Sequence, residues 1–169
     1  MPSRGIMSED TLREVLKKAF DFAGNDHVML SFQGGEPLIA GKEFFVKLHQ
    51  IVRELNVRRA PVHIGVQTNG TLIDEEWCSI FKRGGYLIGL SLDGDEEANR
   101  LRIGADGQPT FERVLQSAKL LQKYGVEFNS LEILKTVYLV YIENHAFVSE
   151  ITDEQMRLLK KISVSLEYK

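Results

Sequence analysis

HVMLSFQGGEPLIA, residues 27–40, decides how this chain is read. An apolar run of strand length stops at Gly34-Gly35. From about Lys42 to Asn56 the residues Phe44, Phe45, Leu48, Ile51, Val52 and Leu55 then recur at helical spacing. A strand that ends in a glycine turn and gives way to an amphipathic helix is the opening of a βαβ unit.

The same order repeats on both sides. Upstream, Ser8 is placed to cap a helix whose first turn carries Glu9 and Asp10, favourable at the positive end of the dipole. Leu12, Val15, Leu16, Ala19 and Phe20 supply its apolar side, and Gly24 closes it. Downstream, Pro61 opens the strand VHIGVQ (62–67), which Asn69-Gly70 stops. Asp74 caps the helix DEEWCSIFKR (74–83), ended by Gly84-Gly85. YLIGLSL (86–92) is near-continuously apolar, which predicts a strand covered on both faces. A loop runs to Pro109, and Thr110 caps FERVLQSAKLLQKY, ended by Gly125. VEFNSLEIL (126–134) is the fourth strand.

Four strands joined by helices predict an α/β fold with a parallel sheet. Asn69-Gly70 alone would suggest a hairpin, but helical periodicity follows it. No sequence repeat or low-complexity linker divides the chain.

Composition narrows the function. The 169 residues are 43% hydrophobic and 27% charged, as in an ordinary globular domain. A net charge of -3 and a pI near 5.8 leave no basic face, which argues against a nucleic-acid partner. No apolar run is long enough for a membrane span, and MPSRGIMSED has no signal-peptide centre, so a cytoplasmic setting is expected. Cys78 is the one cysteine, so neither an internal disulfide nor a cysteine-held metal site is expected. His27, His49, His63 and His145 show no metal-ligand spacing.

Polar and glycine-rich signals fall at the carboxyl ends of three consecutive strands, where parallel α/β proteins bind ligands. Ser31-Phe32-Gln33-Gly34-Gly35-Glu36-Pro37 lets a ligand approach the backbone, and offers main-chain carbonyls and the Glu36 carboxylate to an ammonium group. Gln67-Thr68-Asn69-Gly70-Thr71 presents amides and hydroxyls. Ser91-Leu92-Asp93-Gly94 precedes Arg100 and Arg102, and an arginine fork suits a carboxylate. Each motif is also an ordinary turn; together they predict a site for a small zwitterionic ligand.

FQGGEPLIAGKEFF, VQTNGTLIDEEWCSIF, LIGLSLDGD and GQPTFERVLQSAKLLQKYGVEFN resemble, in order and interval, the radical S-adenosylmethionine proteins called anaerobic sulfatase-maturating enzymes. The similarity covers roughly residues 5–131. It implies a partial (β/α) barrel of TIM-like type, with four to five mainly parallel strands and flanking helices, that holds S-adenosylmethionine across its strand ends. On that resemblance Gly34, Gly35 and Glu36 receive the methionine amino group. Ser91 and Arg102 hold its carboxylate, with Arg100 as the rival arginine because the loop after Asp93-Gly94 is one residue short. Gln67 lies by the cofactor, and Gln33 and Asn69 by the substrate cavity.

The family anchors a four-iron four-sulfur cluster on three cysteines spaced CxxxCxxC. The resemblance implies that this chain starts just downstream of that motif, without the barrel's first strand. In the family, an electron from the cluster cleaves the cofactor's sulfonium. The resulting 5′-deoxyadenosyl radical abstracts hydrogen from a sulfatase cysteine or serine on the way to formylglycine. With the cluster ligands missing, the expectation is a fragment, residues 1–134 forming the barrel part, that is inactive alone and contributes no catalytic or metal-ligating residue. Residues 135–169 match neither the remaining barrel nor a cysteine-rich domain, and carry patterns for one more strand and helix.

Alternatives stay open from sequence: another peptide-modifying radical enzyme, a non-catalytic remnant that still holds S-adenosylmethionine, or a protein-interaction module. A sulfatase or other peptide is the expected partner, and open sheet edges predict self-association.

Overall fold

The structure, a computed structural model, describes residues 5–93 and 95–131. Its elements run α1 (Glu9–Ala23), β1 (Val28–Phe32), a 3-10 turn (Pro37–Ala40), α2 (Lys42–Leu55) and β2 (Val62–Thr68). There follow α3 (Glu75–Gly84), β3 (Tyr86–Ser91), the short α4 (Glu96–Asn99), α5 (Phe111–Lys123) and β4 (Glu127–Leu131). The first compact unit of the chain covers Met1–Leu131. The expected strand at 133–142 and the helix beyond it lie outside the described residues.

All three strand pairings are parallel, in the order β1-β2-β3-β4. Such an order never doubles back, so successive crossovers of one hand lay their helices along one side, as in a barrel rather than a doubly wound sheet. The helices form that row: α1 packs on α2, α2 on α3, and α3 on α5.

Local signals explain the boundaries. Ser8 Oγ accepts from Thr11 N at 3.2 Å and starts α1, and Asp74 Oδ1 accepts from Trp77 N at 2.8 Å and starts α3. Gly85, left-handed at φ 62° and ψ 41°, ends α3. The expected cap at Thr110 differs. Thr110 precedes α5 but makes no side-chain cap; its hydroxyl donates to Arg102 O at 3.0 Å instead.

One core lies between the helix row and the sheet. Leu12, Leu16 and Phe20 of α1, Phe45, Leu48 and Ile51 of α2, and Trp77, Cys78, Ile80 and Phe81 of α3 meet Val28, Ile64, Val66, Ile88 and Leu90 of the strands. Val15, expected among them, is 46% exposed on the flank of α1. Trp77 sits between Phe45 and Phe81, with ring centroids 5.3 and 5.4 Å away. Truncating a fully buried member such as Leu48 to alanine costs about 2–5 kcal/mol.

Among the described residues no helix covers the other face of the sheet in this way. Along β3, buried Tyr86, Ile88 and Leu90 alternate with Leu87, which is 42% exposed, and half-buried Gly89 and Ser91. The expectation that β3 is covered on both faces is therefore corrected. Its second face carries small and polar groups beside Leu87, and a continuous apolar reading conceals that alternation. The same face presents Met29, Ser31, His63, Gly65 and Gln67.

Among the described residues no helix is long and apolar enough to cross a membrane.

Candidate site at the strand ends

The turn after β1 needs its glycines. Gly34 has φ 89° and Gly35 φ 62°, and a Cβ added to either meets no atom within 4 Å. The requirement is conformational and the space beside the backbone is open. Among the described residues no backbone hydrogen bond outside helices and strands ends on the carbonyl of Gly34 or Gly35.

Glu36 works differently from its neighbours. Its Oε1 accepts from Leu38 N at 3.0 Å and from Thr68 Oγ1 at 2.7 Å, and its Oε2 accepts from Asn69 N at 2.7 Å. The carboxylate thereby starts the 3-10 turn and fastens the β1 turn to the end of β2. Thr68, 1% exposed, also accepts from Gly70 N at 3.0 Å, and buried Ser117 of α5 donates to Gly70 O at 2.7 Å. Asn69 Oδ1 accepts from Thr71 N and Thr71 Oγ1 at 2.9 and 2.8 Å, which closes the turn.

On the next strand, Ser91 Oγ accepts from Gln67 Nε2 at 2.9 Å across the uncovered face. Beyond β3, Arg102 donates from Nε to Asp93 Oδ2 at 2.7 Å and from Nη2 to Asp93 Oδ1 at 2.8 Å. Asp93 is 5% exposed, and its N–H donates to Asn99 Oδ1 at 3.2 Å. Asn99 is fully buried at the end of α4. The loop that brings Arg102 back to the sheet is thus held at both ends.

These elements enclose a hollow of about 380 Å³ lined by Glu36, Asn69, Ser91 and Arg102, with Leu72 and Ile103 among its apolar walls. That volume lies within the range of small-molecule sites, roughly 300–1,000 Å³. Gln33, Gly34, Gly35 and Gln67 do not line it, although Gln67 touches Ser91. Arg100 turns away: it pairs with Glu97 and borders a separate cavity with Asp95 and Phe111. Of the two arginines only Arg102 reaches the hollow.

A profile of the Radical SAM superfamily matches residues 2–146. The chain belongs to the radical SAM superfamily.

Within it, the chain is 43% identical over 130 residues to the cysteine-type anaerobic sulfatase-maturating enzyme of Clostridium perfringens, covering 76% of this chain and 35% of that one. It is 30% identical over 148 residues to the serine-type enzyme of Bacteroides thetaiotaomicron, covering 86% and 36%. The solved structure of native anSMEcpe with bound AdoMet and Cp18Cys peptide superposes with a TM-score of 0.73 at 41% identity, over 76% of this chain and 36% of that one. The same protein with bound AdoMet alone gives 0.75. This radical SAM chain therefore spans about a third of the length of the curated relatives it matches.

Sequence reasoning missed Asn99 and Ser117, and it named Thr68 and Thr110 without the hydrogen bonds by which they hold the hollow's surroundings in shape. Asp93 reads either as part of the strand-end signal Ser91-Leu92-Asp93-Gly94 or as a turn residue. Its spacing of nine from Arg102 matches no regular element, so only the folded loop reveals the pair.

Proposed function

We propose that the chain forms the S-adenosylmethionine-holding part of a radical enzyme that modifies a peptide, of the sulfatase-maturase type. The observation that carries this reading is the hollow shared by Ser91 and Arg102 at the ends of parallel strands. It fits an amino-acid moiety. Within the hollow the Ser91 hydroxyl and Arg102 guanidinium would donate to its carboxylate, and the carbonyls of Gly34 and Gly35, which do not line the hollow itself, would accept from its ammonium group at the neighbouring strand end. Gln67 would hold the Ser91 hydroxyl in place. Glu36 would act through the backbone, since its oxygens already accept three hydrogen bonds. Gln33 and Asn69 would face the peptide.

The iron–sulfur cluster does not fit the residues of this chain. Cys78, its one cysteine, has no exposed surface in α3, and burial first, then the nearby Asp74 and Glu75 carboxylates, pushes its thiol up to about 11. A cluster takes thiolates from several cysteines. No electron-transfer step is assigned to these residues. In the complete enzyme of this type, the peptide would be a sulfatase segment whose cysteine or serine becomes formylglycine, in keeping with the cysteine-type and serine-type relatives.

Calorimetry with S-adenosylmethionine on the 169-residue chain tests the hollow. The expected result is weak saturable binding, abolished by Arg102→Ala and reduced by Ser91→Ala. Binding indifferent to both substitutions would overturn the assignment. Anaerobic reconstitution with iron and sulfide is expected to leave no stoichiometric cluster, and a bound one would refute that part. Self-association through the outer strands β1 and β4 is expected to appear as a concentration-dependent mass by light scattering.

A further inference from the structure

A second meeting of polar groups lies at the opposite end of the strands and owes nothing to the hollow. His27, just before β1, and His63, in β2, approach through Nδ1 and Nε2 at 3.4 Å. Their ring centroids are 5.5 Å apart and their planes differ by 18°. Both side chains are exposed on the uncovered face of the sheet. The centroid distance exceeds the nitrogen separation by nearly the two ring radii, so these nitrogens are the near corners of the rings.

The separation itself is informative. It is long for a good hydrogen bond from a ring N–H, whose donor–acceptor distance is usually about 3.0 Å. It matches the edge of a coordination tetrahedron. Two imidazole nitrogens about 2.05 Å from a zinc ion, at the tetrahedral angle, lie roughly 3.35 Å from each other. The parallel register sets Met29 opposite His63, so His27 stands two residues before that position, within side-chain reach of His63 across the strand pair.

We propose that His27 and His63 form a two-histidine chelate for a divalent transition-metal ion, with water in the remaining positions. Among the described residues no group of three histidine, cysteine or acidic side chains could hold a metal, so the site is an open one. Imidazole pairs take zinc, nickel and copper. The sequence hides this pair because 36 residues separate its members.

The test titrates chelator-treated full chain with Zn²⁺, Ni²⁺ and Cu²⁺ by calorimetry. One ion per chain is expected, with Cu²⁺ tighter than Zn²⁺. Either His27→Gln or His63→Gln is expected to weaken binding by about a hundredfold, because a chelate loses its second, intramolecular arm. His145→Gln is expected to change nothing. Paramagnetic Ni²⁺ is expected to broaden the ring signals of His27 and His63 before those of His49, a reading that needs no variant. Unchanged affinity in His63→Gln, no saturable binding by the unaltered chain, or broadening centred elsewhere would overturn the proposal.

Discussion

Arg102 grips the buried carboxylate of Asp93 with two parallel hydrogen bonds of 2.7 and 2.8 Å. That grip folds the segment from Asp93 to Thr110 against the sheet and carries Arg102 to the hollow. Its loss is therefore expected to be felt in stability as well as in binding. Asp93→Asn leaves a half-buried guanidinium short of its counter-charge and is expected to cost about 2 kcal/mol. Arg102→Lys replaces the fork by a point charge and is expected to cost a similar amount. Urea denaturation of each variant measures both.

Glu36 offers a subtler substitution. Glu36→Gln keeps the size but puts an amide N–H₂ where one oxygen accepts a hydrogen bond. If the amide faces Asn69 N, two donors oppose each other; if it faces Thr68 and Leu38, two bonds are spoiled. Either orientation is expected to cost about 1–3 kcal/mol. A lowered thermal midpoint with an unchanged far-ultraviolet spectrum is the expected outcome.

Two glycines separate strain from collision. Gly35→Ala must adopt φ 62° but has open space around it, so a loss of about 1 kcal/mol is expected. Gly70→Ala must adopt φ 74° and also drives its methyl into the Leu90 side chain, with Val114 close behind. A larger loss, about 3 kcal/mol, is expected there. Equal losses at the two positions would show that Leu90 moves aside freely.

His49 makes stability depend on pH. Burial first, then the Arg53 cation, holds its imidazole below the ordinary value of 6.5. Its Nε2 is buried without a hydrogen-bond partner among the described residues, beside Tyr86, whose ring lies 5.2 Å away. The unfolded chain therefore takes up this proton more readily than the folded one, and acid favours unfolding. Stability is expected to be full above 6.5, to fall as the pH descends through that value, and to level off below the folded one. Across that range the denaturation midpoint of the protein is expected to fall more steeply towards acid than that of His49→Gln, which lacks this proton site.

Much of this was legible in the sequence because the signals were local. Ser8, Asp74 and Gly85 act at helix ends through bonds to the nearest turn, and strand ends follow from Gly34-Gly35 and Asn69-Gly70. Glu36 was singled out and does line the hollow, but its partners Thr68 and Asn69 lie more than thirty residues on, so the bonds by which its carboxylate joins two strands could not be read. Thr110 sits where a cap belongs, yet the carbonyl of Arg102 captures its hydroxyl. α4 is only four residues long, too short for periodicity to reveal. The hollow, the Asp93–Arg102 pair and the two histidines all arise from chain crossings that spacing does not encode.

The seat of Trp77 has a practical corollary. It is the chain's one tryptophan, 3% exposed and wedged between Phe45 of α2 and Phe81 of its own helix. Its fluorescence colour and lifetime therefore act as an internal optical gauge, needing no label, of whether α2 still rests on α3. Any ligand or partner that pries those helices apart will announce itself as a red shift in emission.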